Sequence, residues 1–138
     1  VAKRLAALCL RAPWLQPLLQ GPALIVPVPL HPRREVRRGF NQASLIAREL
    51  ARATGLRLGE GVLVRRVDTP AQTGLPARAR RHNVARAFAV RRASALSGRR
   101  VLLVDDVVTT GATVRSCARA LREAGATQVS VLSMARVD

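Results

Sequence analysis

The chain has 138 residues, 49 % of them hydrophobic and only 2 % aromatic, with a formal net charge of +16. That length suits one ordinary domain, residues 1–138, with a core of Ala, Val and Leu. No apolar run approaches the roughly 18–20 residues of a membrane span, and Val1–Leu10 lacks the small-residue cleavage site of a signal peptide, so the expectation is a soluble, cytoplasmic protein.

Lys3–Ala12 is predicted as a short amphipathic helix stopped by Pro13 and Pro17. Ala23 to Pro32, ALIVPVPLHP, opens as a buried strand and then meets Pro27, Pro29 and Pro32. Proline cannot donate to a sheet ladder, so the strand ends there in a stiff loop. FNQASLIARELARATG reads as a helix, with Asn41 as N-cap, Ile46, Leu50 and Ala53 on one face, and Gly55 as its stop. Gly61–Val67 reads as a strand. Asp68–Phe88 holds two prolines and a cluster of Arg78, Arg80, Arg81 and Arg86 without clean periodicity at its start. A loop of that length in a compact domain is either functional or disordered.

Beyond it, FAV is a short strand and RRASALSGRR a polar connection. Val101–Val104 is a fully apolar strand, predicted to be central and covered on both faces. Thr113–Ala124 is a helix with Val114, Cys117, Ala118 and Leu121 inward, closed by Gly125, and Gln128–Ala135 is a final strand. The alternation argues an α/β fold with a mainly parallel sheet flanked by helices. Cys9 and Cys117 form no metal-like cluster and read as buried free thiols.

The charge is almost all arginine, Lys3 being the one lysine. From His31 to Arg100 there are 17 arginines against Glu35, Glu49, Glu60 and Asp68. So basic a middle suits polyanions, whether phosphates, nucleic acid or an acidic surface; a solvated arginine surface without a dedicated partner fits the charge equally well.

The most informative stretch is Val101–Thr113, VLLVDDVVTTGAT. Ligands of open parallel sheets sit outside the carboxyl ends of the strands, where Asp105 and Asp106 fall. Adjacent carboxylates repel, which is unfavourable unless a ligand, metal or hydroxyl engages them. The turn that follows leads into a helix N-terminus, with free amides and a positive dipole end for a phosphate. Gly111 permits close backbone approach, and Thr109, Thr110 and Thr113 add hydroxyls. Carboxylates for vicinal hydroxyls beside a phosphate cradle match a ribose 5-phosphate. A P-loop is excluded, since the one lysine is Lys3; no G-x-G-x-x-G is present; and a phosphoreceiver lacks its later Asp and Lys.

VLLVDDVVTTGAT resembles the phosphoribosyl pyrophosphate (PRPP) motif of type I phosphoribosyltransferases. VPVPLHPRREVRRGFNQASLIAREL, TPAQTGLPARARRHNVARAF and LSMARV resemble the ComF family of competence-associated phosphoribosyltransferase-like proteins. These segments cover most of the chain from Leu24 to Val137. The resemblance implies a type I phosphoribosyltransferase-like fold and a phosphoribosyltransferase that binds PRPP with Mg²⁺, linked to DNA uptake in natural competence.

It also implies site residues. Asp105 and Asp106 would bind the ribose hydroxyls, and Thr109, Thr110, Gly111, Ala112 and Thr113 the 5-phosphate. Leu30, His31, Arg33 and Arg34 would face the pyrophosphate. Arg38, of the signature Arg38, Gly39, Phe40, Asn41 and Gln42, and Arg81 are the expected catalytic cations. Gln72, Thr73 and Asn83 would belong to a flexible loop, Thr69–Asn83, closing over the site. Mg²⁺ would be held mainly through PRPP, with no direct protein ligand assigned. His82 is better read as a surface residue than as a base. Family members commonly begin with a cysteine-rich zinc ribbon; this chain has no C-x-x-C, so that part is expected to be absent. The acceptor cannot be read from the residues. A PRPP-sensing or single-stranded-DNA-binding competence factor without turnover is the alternative, and a homodimer is compatible with the fold.

Overall fold

The computed structural model describes residues 1–20, 23–30, 41–66 and 87–137. Helix α1 (Ala2–Leu10) leads into a 3₁₀ segment, Pro13–Leu19, and then strand β1 (Ala23–Pro27). Helix α2 (Gln42–Thr54) and the short β2 (Arg57–Leu58) follow, then β3 (Leu63–Arg65) and β4 (Phe88–Val90). A 3₁₀ turn at Ala93–Ala95, strand β5 (Arg100–Val108), helix α3 (Ala112–Glu123) and strand β6 (Gln128–Arg136) complete the order.

Four strands form one all-parallel sheet in the order β2-β1-β5-β6, and β3 and β4 form a separate antiparallel pair. Strand β5 is central, as the unbroken apolar run requires: Val101–Val104 are all buried between β1 and β6. Alternation along the strands feeds two apolar layers. Leu24, Val26, Val101 and Leu103 pack with Phe88, Leu96, Cys117 and Leu121 on one side. Ile25, Leu102 and Val104 pack with Leu15, Ile46, Leu50 and Leu132 on the other. Each fully buried aliphatic side chain contributes about 1.5–3 kcal/mol.

Helix α2 has the expected bounds. Asn41 caps it, and Gly55 ends it in the left-handed conformation at φ 76°. Its buried face is Ala43, Ile46, Ala47 and Leu50, whereas Ala53, on the same stripe but in the last turn before Gly55, is exposed.

Other boundaries differ from the sequence reading. Helix α1 stops at Leu10, before Pro13 as expected, but a 3₁₀ segment follows that Pro13 starts and in which Pro17 lies. At Pro13, the first position, the missing N–H would have no partner anyway. Strand β3 covers Leu63–Arg65 of the expected Gly61–Val67; Gly61 stands in a turn at φ 76°, and Val67 lies outside the described residues. Strand β5 runs past Val104 to Val108, because β6 pairs with it as far as Val108 against Arg136. The polar connection at 91–100 carries one fully buried side chain, Leu96. Cys117 is buried as expected, while Cys9 is only half-buried, its thiol 3.7 Å from Met134 Sδ. No helix among the described residues is long and apolar enough to cross a membrane.

Candidate active site

The site is made by an unequal ending of the two neighbours of β5. Strand β1 pairs with it only to Pro27 against Val104, where Val28 N–H gives a last bond to the Val104 carbonyl at 2.8 Å. Strand β6 continues beside it, with Ser133 against Asp105 and Ala135 against Val107. The two aspartates therefore stand where one neighbour has stopped and the other persists. The turn Thr109–Gly111 then carries the chain into α3.

Asp105 is buried, at 9 % exposure, and Asp106 is half-buried. Each carboxylate accepts from the next backbone amide: Asp106 N–H to Asp105 Oδ1 at 2.9 Å, and Val107 N–H to Asp106 Oδ1 at 2.8 Å. Burial, and then the adjoining Asp106 carboxylate, push Asp105 up to about 6. Beneath it, burial and the Asp105 charge raise the Cys117 thiol, so this cysteine stays protonated.

Gly111 is the N-cap of α3 at φ 83°, a conformation that favours glycine. A Cβ there would also meet Arg115 Nη1 at 2.7 Å. Arg115 turns back to donate to the Thr110 carbonyl at 3.2 Å, and Thr110 Oγ1 accepts from Ala112 N–H at 3.2 Å. The first amides of a helix have no intrahelical acceptor. Those of Thr113 and Val114 meet none among the described residues. Thr109 and Thr110 are exposed, and Thr113 is half-buried. Asp105, Thr109, Thr110, Gly111, Ala112 and Thr113 line one small open cavity of about 50 Å³, together with Val107, Val108 and Val114. An anion placed there meets amides and the positive end of α3, while the carboxylate offers acceptors to hydroxyls.

The structure thus brings Asp105 and the whole 109–113 turn to one cavity, with Asp106 bonded beside it. Leu30 is half-buried in the chain after β1. His31, Arg33, Arg34, Arg38, Gln72, Thr73, Arg81, His82 and Asn83 lie outside the described residues.

Two further residues matter that the motif did not point to. Buried Asn41 donates from Nδ2 to the Val28 carbonyl at 3.2 Å, besides accepting from Ala43 N–H at 3.0 Å. It ties the start of α2 to the segment leaving β1, on the site's side of the sheet. Arg65, at the end of β3, lies over the Phe88 ring at 5.3 Å. The Arg65 charge also reaches Cys117, partly offsetting the rise of that thiol. A pair separated by 23 residues gives no local sequence signal.

Residues 36–136 match the model of the phosphoribosyl transferase domain. Competence protein F of Haemophilus influenzae is 39 % identical over 119 residues, covering 86 % of this chain and 52 % of that protein. DNA utilization protein YhgH of Escherichia coli is 42 % identical over 118 residues, covering 86 % of this chain and 51 % of that protein. Competence protein ComFC of Bacillus subtilis is 33 % identical over 117 residues, covering 82 % and 44 %. The chain spans about half the length of the first two of these relatives.

Among solved structures, the glutamine phosphoribosylpyrophosphate amidotransferase of B. subtilis superposes with a TM-score of 0.62 at 25 % identity, over 96 % of this chain and 26 % of that one. Adenine phosphoribosyltransferase of Saccharomyces cerevisiae shares the fold, with a TM-score of 0.61 at 14 % identity, over 97 % and 66 %. On the matched domain, and on relatives that carry the same competence names as the motif resemblance, the chain belongs to the phosphoribosyl transferase domain family, in its ComF group.

Proposed function

We propose that this domain binds PRPP and transfers its phosphoribosyl group to an acceptor, in a process connected with DNA uptake. The observation that carries the reading is the single cavity joining a buried aspartate to a threonine-rich turn at a helix N-terminus, at the carboxyl end of the central parallel strand. Asp105 and Asp106 would accept from the ribose 2′ and 3′ hydroxyls. The amides of the 109–113 turn, with the hydroxyls of Thr109, Thr110 and Thr113, would hold the 5-phosphate.

In the reaction, the bond from the anomeric carbon to the pyrophosphate oxygen breaks, its electron pair leaving with pyrophosphate, and a bond to the acceptor forms. Leu30, His31, Arg33 and Arg34 are proposed to face the leaving group. Arg38 and Arg81 would stabilise the charge that develops on it. Gln72, Thr73 and Asn83 would lie in the loop that closes to exclude water. Mg²⁺ fits the donors present, which are oxygen atoms of two adjacent carboxylates and three hydroxyls. Such a site suits a hard cation held largely by substrate phosphates. When bound, it would supply charge neutralisation on the diphosphate.

The test is calorimetric titration of PRPP with Mg²⁺ into the wild type and an Asp105→Asn/Asp106→Asn variant. A charge-assisted hydrogen bond contributes about 1.5–3 kcal/mol, so the variant should bind at least tenfold more weakly. A folded wild type that does not bind PRPP would sink the reading. Pyrophosphate release in an acceptor screen separates an enzyme from a PRPP-responsive regulator.

A second reading, binding of single-stranded DNA, is supported by the 17 arginines between His31 and Arg100 and by the name of the E. coli relative. With so few aromatic side chains it would rest on backbone electrostatics rather than base stacking, and affinity should then fall steeply with salt.

A further inference from the structure

A second cavity lies away from the aspartates, on the outer edge of the sheet. It has a volume of about 350 Å³ and is formed where β2 and the turn after it meet the 3₁₀ segment following β4. Leu24 and Val62, from one face of the sheet, give it an apolar floor, and Arg57, Arg92 and Ser94 stand on its walls. Arg57 is in register with Leu24, and Leu24 with Val101. The cavity thus lies about 13 Å back along the sheet from Asp105, four residues at roughly 3.3 Å each.

Two features make this groove a receptor for an anion with an apolar body. First, Arg57 and Arg92 are exposed and have no ion-pair partner among the described residues. The one carboxylate on the rim among the described residues, Glu60, is already paired with Arg48 at 2.8 Å. Two guanidinium groups facing one groove create a positive potential that a phosphate relieves, and their planar forks suit its oxygens. Second, the floor is kept open by the backbone. Gly59 lies so tightly on the sheet that a Cβ there would meet Leu24 at 3.1 Å and Val26 at 3.2 Å, and its amide bonds to the Ile25 carbonyl at 2.7 Å. The volume falls within the roughly 300–1,000 Å³ of small-molecule sites.

We propose that this groove binds a phosphate monoester carrying a planar or apolar body, the phosphate between Arg57 and Arg92 and the body over Leu24 and Val62. The proposal is independent of PRPP binding. It is tested with phenyl phosphate, which has no ribose, followed by amide chemical shifts of the full chain. Titration should move the signals of Gly59 and Ser94. Arg57→Ala/Arg92→Ala should weaken binding at least tenfold, and both side chains are exposed, so the variant should fold. Asp105→Asn/Asp106→Asn should leave that binding unchanged.

Shifts confined to Thr110–Thr113, or equal affinity in the arginine variant, would overturn the site. Inorganic phosphate binding as tightly as phenyl phosphate would overturn the assigned ligand class. A 5′-phosphorylated single-stranded oligonucleotide that displaces phenyl phosphate identifies the natural source as a strand end. Failure to displace it identifies a free phosphorylated metabolite. A wild type that binds phenyl phosphate but not PRPP would refute the primary site alone.

Discussion

Asp105 carries opposing demands in one side chain. Ionised, it accepts most strongly from a ribose hydroxyl, yet burial and the neighbouring Asp106 raise it from 3.8 to about 6. A carboxyl raised in the native state binds its proton more tightly there than in the unfolded chain. The stability this contributes is present below about pH 4 and is lost as pH rises through 6. Asp105→Asn should therefore stabilise the free protein at pH 7.5 by about 1 kcal/mol, allowing for solvent screening. That gain should shrink towards zero at pH 4, as urea unfolding at the two values would show. PRPP binding should run the other way and strengthen as pH rises through 6, because the ionised form accepts the stronger, charge-assisted bonds. A gain from Asp105→Asn that is the same at both pH values would show that Asp105 is not strained by ionisation.

At the scale of elements, the site depends on how strands and helices end. The start of α2 is set by Asn41, whose two bonds hold the helix and the segment after β1 together. Losing an N-cap costs about 1 kcal/mol, and leaving the buried Val28 carbonyl without its donor adds about 1–3 kcal/mol. Asn41→Ala should thus destabilise the domain by about 2–4 kcal/mol in urea unfolding. Asn41→Ser keeps a capping oxygen but removes the donor to Val28, so it should lose less than Asn41→Ala. The cap was legible because an Asn before FNQ-type helix starts acts within two residues. The bond to Val28 was not, because it joins positions 13 apart in the chain.

For the whole molecule, stability rests on the two apolar layers around β1 and β5. Leu96 belongs to one of them with no exposed surface, although it sits in the polar segment RRASALSGRR. Leu96→Ala should cost about 2–5 kcal/mol, measurable as a lower urea midpoint with an unchanged slope. A cost below 1 kcal/mol would place Leu96 outside the core. The same layers support both cavities, since Leu24 and Val62 line the second one from the same side of the sheet as Cys117 beneath Asp105.

Sequence by itself determined the central strand at Val101–Val104, since an unbroken apolar run must be covered on both faces. It also determined the bounds of α2 at Asn41 and Gly55, and the place of the acid pair before a hydroxyl-rich helix start. These follow from chemistry confined to a few neighbouring residues. Tertiary structure alone decided that β6 outlasts β1 beside β5, which leaves Asp105 buried yet open to a ligand. It also decided that Leu96 turns inward, that Ala53 is left exposed, and that Arg57 and Arg92 share a groove. Each of these depends on which distant segment packs against the position, and no periodicity within a single element records that.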